Sequence, residues 1–210
     1  MTRAAIAIVD VCSGNLRSVE KALQTVGGDV RVTADPDVVR KADKVVVPGQ
    51  GAFGEFARGA VERALLPALR KVLGRGTPFF GICLGMQALF ESSEEQGPVA
   101  GLGLVAGAVV KFRMSDPSLK VPHIGWNSIA PTARHAKDFM LDGLGDEPYA
   151  YFDHSYYAVP ADDGVIALQC DYGGAFCAAL RKDNLFACQF HPEKSQRVGL
   201  TILRNFVERA

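Results

Sequence analysis

No sign of charge predominates in this chain: Lys plus Arg and Asp plus Glu number 23 each. A global field that would draw nucleic acid or an anionic membrane is therefore missing, and only a local basic patch could serve instead. Although 48% of the residues are hydrophobic, no uninterrupted apolar run approaches the roughly 18–20 residues that a membrane-spanning helix needs. No CxxC pair occurs. The five cysteines, Cys12, Cys83, Cys170, Cys177 and Cys188, are odd in number and irregularly spaced. Neither a metal centre nor a disulfide framework is indicated, and a reducing cytoplasm is the expected compartment. The opening, Met1 to Asp10, has an apolar core too short for a signal peptide and no small-residue cleavage site, so a first strand is expected there. No linker or internal repeat interrupts the 210 residues. One domain over 1–210 is expected, long enough for a substantial core.

What is present begins as an alternation. Ala4 to Val9 is a β-rich apolar run ending at Asp10. Gly14-Asn15 opens a helix with Leu16, Val19, Leu23 and Val26 at helical spacing, and Gly27-Gly28 stops it. Asp29 to Val32 reads as a second strand. Asp35-Pro36 starts a short helix, with proline early. Lys44 to Val47 is a third strand, ending at Pro48-Gly-Gln-Gly51; a helix from about Ala60 to Leu73 precedes a fourth strand at 78–82. This pattern predicts a mostly parallel sheet with helices on both faces. Ligands of such sheets bind beyond the carboxyl ends of strands, where Asp10, Pro48–Gly51 and Cys83 all fall. The second half is richer in glycine and β-branched residues. Strands are expected at 104–112, 123–129, 149–152, 165–170, 176–180 and 185–190, forming an antiparallel extension that continues or flanks the sheet. A helix from Ser195 to Val207 closes the chain, with Val198, Ile202, Leu203, Phe206 and Val207 on one face.

The chemistry points to Thr77-Pro-Phe-Phe-Gly-Ile-Cys-Leu-Gly-Met-Gln87. An apolar strand runs into a helical pattern, expected over about 84–92, and Cys83 sits at the corner between Gly81 and Gly85. A sharp strand-to-helix turn needs a strained backbone, and flanking glycines remove the side chains that would collide. Such a turn exposes the middle side chain and aims the first helical amides at whatever it attacks. Both suit a nucleophilic thiolate. The pattern is short, however, and equally fits a structural cysteine between packing glycines.

An unperturbed thiol is only a few per cent ionised at neutral pH, so a catalytic one needs a base. Of His123, His135, His154 and His191, the last has the best context. It follows the strand Leu185–Phe190 directly, and Glu193 lies two positions on, across Pro192. Residues two apart on extended backbone face the same way. Glu193 can therefore hold one ring nitrogen while the other addresses the sulfur. In isolation His-Pro-Glu equally fits a surface turn. The glycine loop Pro48-Gly-Gln-Gly51 could bring backbone N–H groups to a developing oxyanion. Together these parts describe acyl transfer through a thioester.

Three stretches, Pro48-Gly-Gln-Gly51, Gly81-Ile-Cys-Leu-Gly-Met-Gln87 and Gln189-Phe-His-Pro-Glu193, resemble the signatures of the class I, triad-type glutamine amidotransferases. More narrowly, Gly14-Asn-Leu-Arg-Ser-Val19, Val121-Pro-His-Ile-Gly-Trp-Asn127, Tyr151-Phe-Asp-His-Ser-Tyr156 and His191-Pro-Glu-Lys-Ser-Gln196 resemble the glutaminase subunits of imidazole glycerol phosphate synthase, along the whole chain. The resemblance implies a three-layer, flavodoxin-like fold. It implies Cys83 as nucleophile, His191 as base and Glu193 as its orienter. Amides of Gly49, Gln50, Gly51 and Leu84 would hold the oxyanion, and Gln87, Glu95, Ser155 and Tyr156 would bind the glutamine backbone groups. No cofactor or metal is implied. The implied partner is a (β/α)8-barrel cyclase subunit, faced by Asn15, Trp126 and Lys194, which would take the ammonia in histidine biosynthesis. Trp126 equally fits a core position, and Lys194 a solvated first helical turn. Two departures stand out: Asp10-Val-Cys12 where the family has Asp-Tyr-Gly, and Gln50 where it has valine. A stand-alone thiol hydrolase of the same fold, acting on γ-glutamyl compounds, is the alternative. Cys12, Cys170, Cys177 and Cys188 lack motif context and read as packing residues.

Overall fold

The computed structural model describes residues 4–11, 15–97 and 99–210. The expectations for Cys12 and Gly14 lie outside them. The first half alternates as its sequence suggests: β1 Ala5–Val9, α1 Leu16–Thr25, β2 Asp29–Thr33, α2 Pro36–Lys41, β3 Lys44–Gly49, α3 Phe53–Glu62, α4 Leu65–Gly74 and β4 Phe79–Cys83. α2 starts where the Asp35 side chain accepts from the Asp37 amide, with Pro36 behind it. The helix expected from Ala60 differs. It starts seven residues earlier, at Phe53, and breaks at Ala64, whose φ of 53° turns the chain between α3 and α4. Residues 60–73 carry helical spacing throughout, so the left-handed alanine is invisible to a periodicity argument.

The helix expected over 84–92 is cut short. α5 spans Leu84–Gln87 alone. The carbonyls of Ala88, Leu89 and Phe90 accept instead from Leu102, from Leu104 and Val105, and from Gly103. A neighbouring loop has taken the partners that a continuing helix would have used.

The second half supplies β5 Ser92–Ser93, β6 Val99–Ala100, β7 Gly107–Lys111, β8 His123–Ser128, β9 Ala130–Pro131, β10 Tyr149–His154, β11 Tyr156–Pro160, β12 Ile166–Asp171, β13 Ala175–Lys182, β14 Leu185–Cys188 and the closing α6 Gln196–Arg209. Nothing in the sequence signals β11, since its terminal Pro160 argues against a strand; among the described residues it pairs with β7, at the edge of a small sheet ordered β11-β7-β5-β6. The main sheet runs β2-β1-β3-β4-β14-β13-β12-β9. Its first five strands are parallel, and the pairs from β14 through β13 and β12 to β9 are antiparallel. The antiparallel region therefore does both things expected of it. Part continues the sheet, and part flanks it as the small sheet and the β8–β10 pair.

Alternate residues of each central strand face opposite layers. Ile6, Ile8, Val46, Phe80 and Phe186 pack with Val19 and Leu23 of α1 and Ile202 and Phe206 of α6. Ala7, Val9, Val45, Val47 and Phe79 pack under α3 and α4 with Phe56, Leu65 and Leu69. Phe80 meets Phe186 and Phe206 at ring separations of 5.3 and 5.4 Å. Each such ring contributes at most about 2–3 kcal/mol of burial. Lys44, buried at the start of β3, donates to the carbonyls of Phe206 and Val207 in the last turns of α6. These layers fix the carboxyl ends of β3, β4 and β14 side by side. Among the described residues no helix is long and apolar enough to cross a membrane.

Candidate active site

Cys83 ends β4 with φ 53° and ψ −110°, a conformation that L residues rarely adopt. Its neighbours explain how the turn is tolerated. A Cβ on Gly85 would sit 1.8 Å from the Val47 carbonyl oxygen, and one on Gly81 2.8 Å from that of Gly85. The turn is pressed against the end of β3, where Gly49 stands opposite Cys83 in register. Because α5 is one turn long, any help it gives a sulfur anion comes from its first amides rather than from a summed dipole.

β14 stops at Cys188, short of the expected 190, so His191 lies three residues beyond the strand's end. The His191 amide donates to the Tyr151 carbonyl at 2.9 Å. The Ser195 hydroxyl donates to the His191 carbonyl at 2.6 Å and accepts from the Tyr151 amide at 3.0 Å. Ser195 thus ties β10 to the His-Pro-Glu turn. The first turn of α6 closes on the same turn, for a Cβ on Gly199 would lie 1.9 Å from the Pro192 carbonyl oxygen. Glu193 Oε1 is 2.9 Å from His191 Nδ1, with both side chains almost fully buried. The other ring nitrogen is left for Cys83, which lines the same cavity wall and whose charge couples to the imidazole. Burial alone would depress the His191 pKa. The charge and hydrogen bond of Cys83, followed by those of Glu193, outweigh it and raise the value to about 10. A thiol, imidazole and carboxylate in hydrogen-bonding order can take a proton from sulfur, store it and return it to a leaving group.

Cys83 and His191 border a cavity of about 440 Å³, with Glu193 behind the imidazole. Gln50, Gly51 and Leu84 line it beside Cys83, and so do Gln87, Glu95, Ser155, Tyr156 and Lys194. Gly49 lies one residue back, packed on Leu84 and Phe56. Glu95 has a structural duty as well, since its Oε2 accepts from the Phe53 amide at the start of α3 at 2.7 Å. Not every expected residue converges. Asp10 is at a strand's carboxyl end, but it pairs with Arg63 at 3.0 Å and does not border the cavity. Asn15 precedes α1, away from the cavity, without capping it through its side chain. Trp126 is 46% exposed on β8, which overturns the core reading left open for it. In a two-stranded sheet the face turned from the main body has nothing to cover it.

Four contributors escaped the sequence reading. Pro122, Asp153 and His154 line the cavity. Gln189, fully buried, donates to Cys83 Sγ at 3.5 Å. Gln189 carried a signal: it stands two residues before His191, immediately after β14. His154 meets His123 at 3.2 Å in a buried aromatic nest with Phe112, Phe152 and Tyr172. Burial lowers the pKa of His123 to about 4 and that of His154 to about 3. The remaining described cysteines are packing residues, as expected. Burial, with help from Asp171, pushes the Cys170 thiol up to about 12, and burial also holds the Cys177 and Cys188 thiols well above the ordinary range.

Residues 7–210 match the family described as Glutamine amidotransferase class-I. The chain is 51% identical over 210 residues to an imidazole glycerol phosphate synthase subunit HisH of Syntrophotalea carbinolica, covering 96% of this chain and 98% of that one. It is 47% identical over 207 residues to the HisH subunit of Geobacter sulfurreducens, at 97% and 98% coverage. Among solved structures, PurLQS from Thermotoga maritima superposes with a TM-score of 0.75 at 20% identity, covering 98% of both chains. A glutamine amidotransferase from the same organism gives 0.70 at 13% identity, covering 100% of this chain and 98% of that one. At such identities these two structures speak to the fold.

Proposed function

Because the chain belongs to the class-I glutamine amidotransferases, and within them to the family of imidazole glycerol phosphate synthase HisH subunits, we propose that it hydrolyses glutamine at Cys83 and passes the ammonia to a partner subunit. The single observation that carries the chemistry is the buried contact of Glu193 with His191, whose ring shares a cavity wall with Cys83 and is coupled to its sulfur. Cys83 sulfur attacks the side-chain amide carbon of glutamine, and the carbonyl electrons move onto oxygen. Amides of Gly49, Gln50, Gly51 and Leu84 receive that charge. His191, held by Glu193, gives its proton to the amide nitrogen, which leaves as ammonia. A glutamyl thioester on Cys83 remains. His191 then takes a proton from water, whose oxygen attacks the thioester, and glutamate leaves as the sulfur is restored.

Gln87, Glu95, Ser155 and Tyr156 hold the α-amino and carboxylate groups of glutamine. The 440 Å³ cavity is large enough for one amino acid and water. The amide nitrogen of Gln87 is already committed to Tyr156 O and to Gln189, so Gln87 meets the substrate through its oxygen, as an acceptor. That suits the ammonium end of an amino acid. The whole chain, 1–210, acts as one amidotransferase domain. Its partner is a (β/α)8-barrel cyclase that uses the ammonia to make imidazole glycerol phosphate. Asn15, Trp126 and Lys194 face that partner, and the cytoplasm is the compartment. Ammonia must stay shielded from water, since ammonium is no nucleophile.

Cys83→Ser tests the reading. Glutamine-dependent synthesis by the two subunits should disappear, while added ammonium salt still supports the cyclase. Retained glutaminase activity would remove Cys83 from the mechanism. Fast hydrolysis of γ-glutamyl peptides by the isolated wild-type chain would point instead to a thiol hydrolase that works alone.

A further inference from the structure

We propose that Gln189 is a positioning residue for the nucleophile: its side-chain amide, locked in one orientation by Gln87, donates the hydrogen bond that aims the Cys83 sulfur and steadies its charged form. The inference deepens the glutaminase reading and rests on it for the role of Cys83.

The orientation follows from a backbone carbonyl. Tyr156 O can only accept, and it lies 3.0 Å from the Gln87 side chain, so Gln87 must present its NH2 group there. The same NH2 group lies 2.9 Å from the Gln189 side chain, which must answer with its oxygen. Gln189 Nε2 is then left facing Cys83 Sγ, at 3.5 Å. Turning Gln87 over would set its oxygen against two others, and turning Gln189 over would set two NH2 groups against each other. The Gln189 backbone is fixed as well, its amide donating to Ala178 O at 2.8 Å across to β13. A fully buried side chain anchored at both ends has little rotational freedom left to lose on meeting the sulfur.

The donor differs in kind from its neighbour. His191 is also coupled to the sulfur, but its proton moves during the reaction. The Gln189 N–H never leaves, so it is present whenever charge returns to sulfur. Hydrogen bonds to an ionised partner are the strong ones. Gln87 thereby has two duties, since it faces the cavity and also sets the amide behind the nucleophile.

Two substitutions separate positioning from packing. Gln189→Glu keeps the shape and the oxygen that Gln87 needs, but removes the donor. Gln189→Met removes both. Alkylation of Cys83 by iodoacetamide, followed on the Cys83 peptide across pH, reads the thiol without glutamine. Both variants should alkylate roughly tenfold or more slowly at neutral pH, with the profile displaced to higher pH. In the complex with the cyclase, kcat for glutamine should fall by a similar factor while KM stays within about twofold. A wild-type alkylation profile in Gln189→Glu would overturn the proposal. Should the variants fold poorly, the 15N-labelled side-chain amide of Gln189 in the otherwise unaltered chain gives the answer. Its proton resonance should shift on Cys83→Ala, and an unmoved resonance would overturn the proposal. A wild-type chain that alkylates normally but never turns over glutamine with its partner would defeat the glutaminase reading and leave the Gln189 contact standing.

Discussion

His123 Nδ1 and His154 Nε2 stand 3.2 Å apart, and the groups beyond them decide which carries the proton. His154 Nδ1 lies 2.8 Å from Tyr156 O, a pure acceptor, so it is protonated and its Nε2 bears the lone pair. His123 Nδ1 must then donate, leaving its Nε2 to accept from Asn127 at 3.4 Å. A further proton on His154 would set two N–H groups against each other. Both rings are held neutral.

That pair makes the protein acid-sensitive. Free histidine takes its proton near pH 6.5, whereas these two resist until about 4 and about 3. Between those values the unfolded chain binds more protons than the folded one, so stability is full above about pH 6.5 and falls as pH falls. The slope is at most about 1.4 kcal/mol per pH unit for each ring. Urea midpoints measured from pH 7 down to pH 4 should decline steadily. A midpoint that stays level over that range would mean that the two rings titrate normally.

His191 behaves in the opposite sense. Its pKa is raised to about 10, so its contribution to stability is complete below pH 6.5 and disappears as pH climbs towards 10. Replacing Cys83 by alanine removes the foremost source of that rise, and Glu193→Gln removes the other. Histidine resonances followed by NMR should show the 191 ring still protonated at pH 8 in the parent chain, and titrating lower in either variant. Glu193→Gln should also cost on the order of 10²-fold in glutamine turnover. An unchanged titration in Glu193→Gln would show that the carboxylate does not set the basicity of the ring.

The parts of this site legible in the sequence are those whose meaning is local. Cys83 between Gly81 and Gly85, and His191 two residues from Glu193, announce themselves by spacing. So does the parallel half of the sheet, whose strands β1, β3 and β4 carry apolar runs. The rest depends on partners far along the chain. α5 ends early because residues 102–105 claim the carbonyls of Ala88, Leu89 and Phe90 that a longer helix would have used, and nothing in those three residues foretells it. Gln189 is a signature residue whose purpose emerges only when Gln87, 102 positions away, meets it. The core-or-surface choice for Trp126 turns on what covers β8, which composition does not encode.

The elbow itself can be tested by adding one methyl group. On Gly85 it would land 1.8 Å from a backbone oxygen of β3, which cannot swing aside as a flexible side chain could. Gly85→Ala should therefore destabilise by several kcal/mol, roughly 3 or more, or prevent folding. Gly74, at the end of α4, has nothing within 4 Å of the same added atom. Gly74→Ala should stabilise by about 0.5–1 kcal/mol, from helix propensity alone. Thermal melts of the two variants against the parent make the comparison. Similar small effects in both would mean that β3 and the cysteine turn are not in close contact.

The β8–β10 pair turns an apolar face outward. Ile124, Trp126 and Tyr149 are 59%, 46% and 50% exposed, and Tyr151 stands opposite Trp126 with the rings 6.1 Å apart. Lys194 Nζ, at the rim of the cavity, lies 5.4 Å over the Tyr151 ring and joins the patch to the site. Large aromatic groups left in water next to a site that delivers ammonia fit a surface that a partner covers. Trp126→Ala should then leave the stability of the isolated chain within about 0.5 kcal/mol, since the ring covers little of the core. It should weaken binding of the partner subunit by about 2 kcal/mol, roughly thirtyfold in Kd. Calorimetric titration of the two subunits, with a melt of the variant alone, separates the two effects. Unchanged affinity would place the partner elsewhere, and with it the route by which ammonia leaves Cys83.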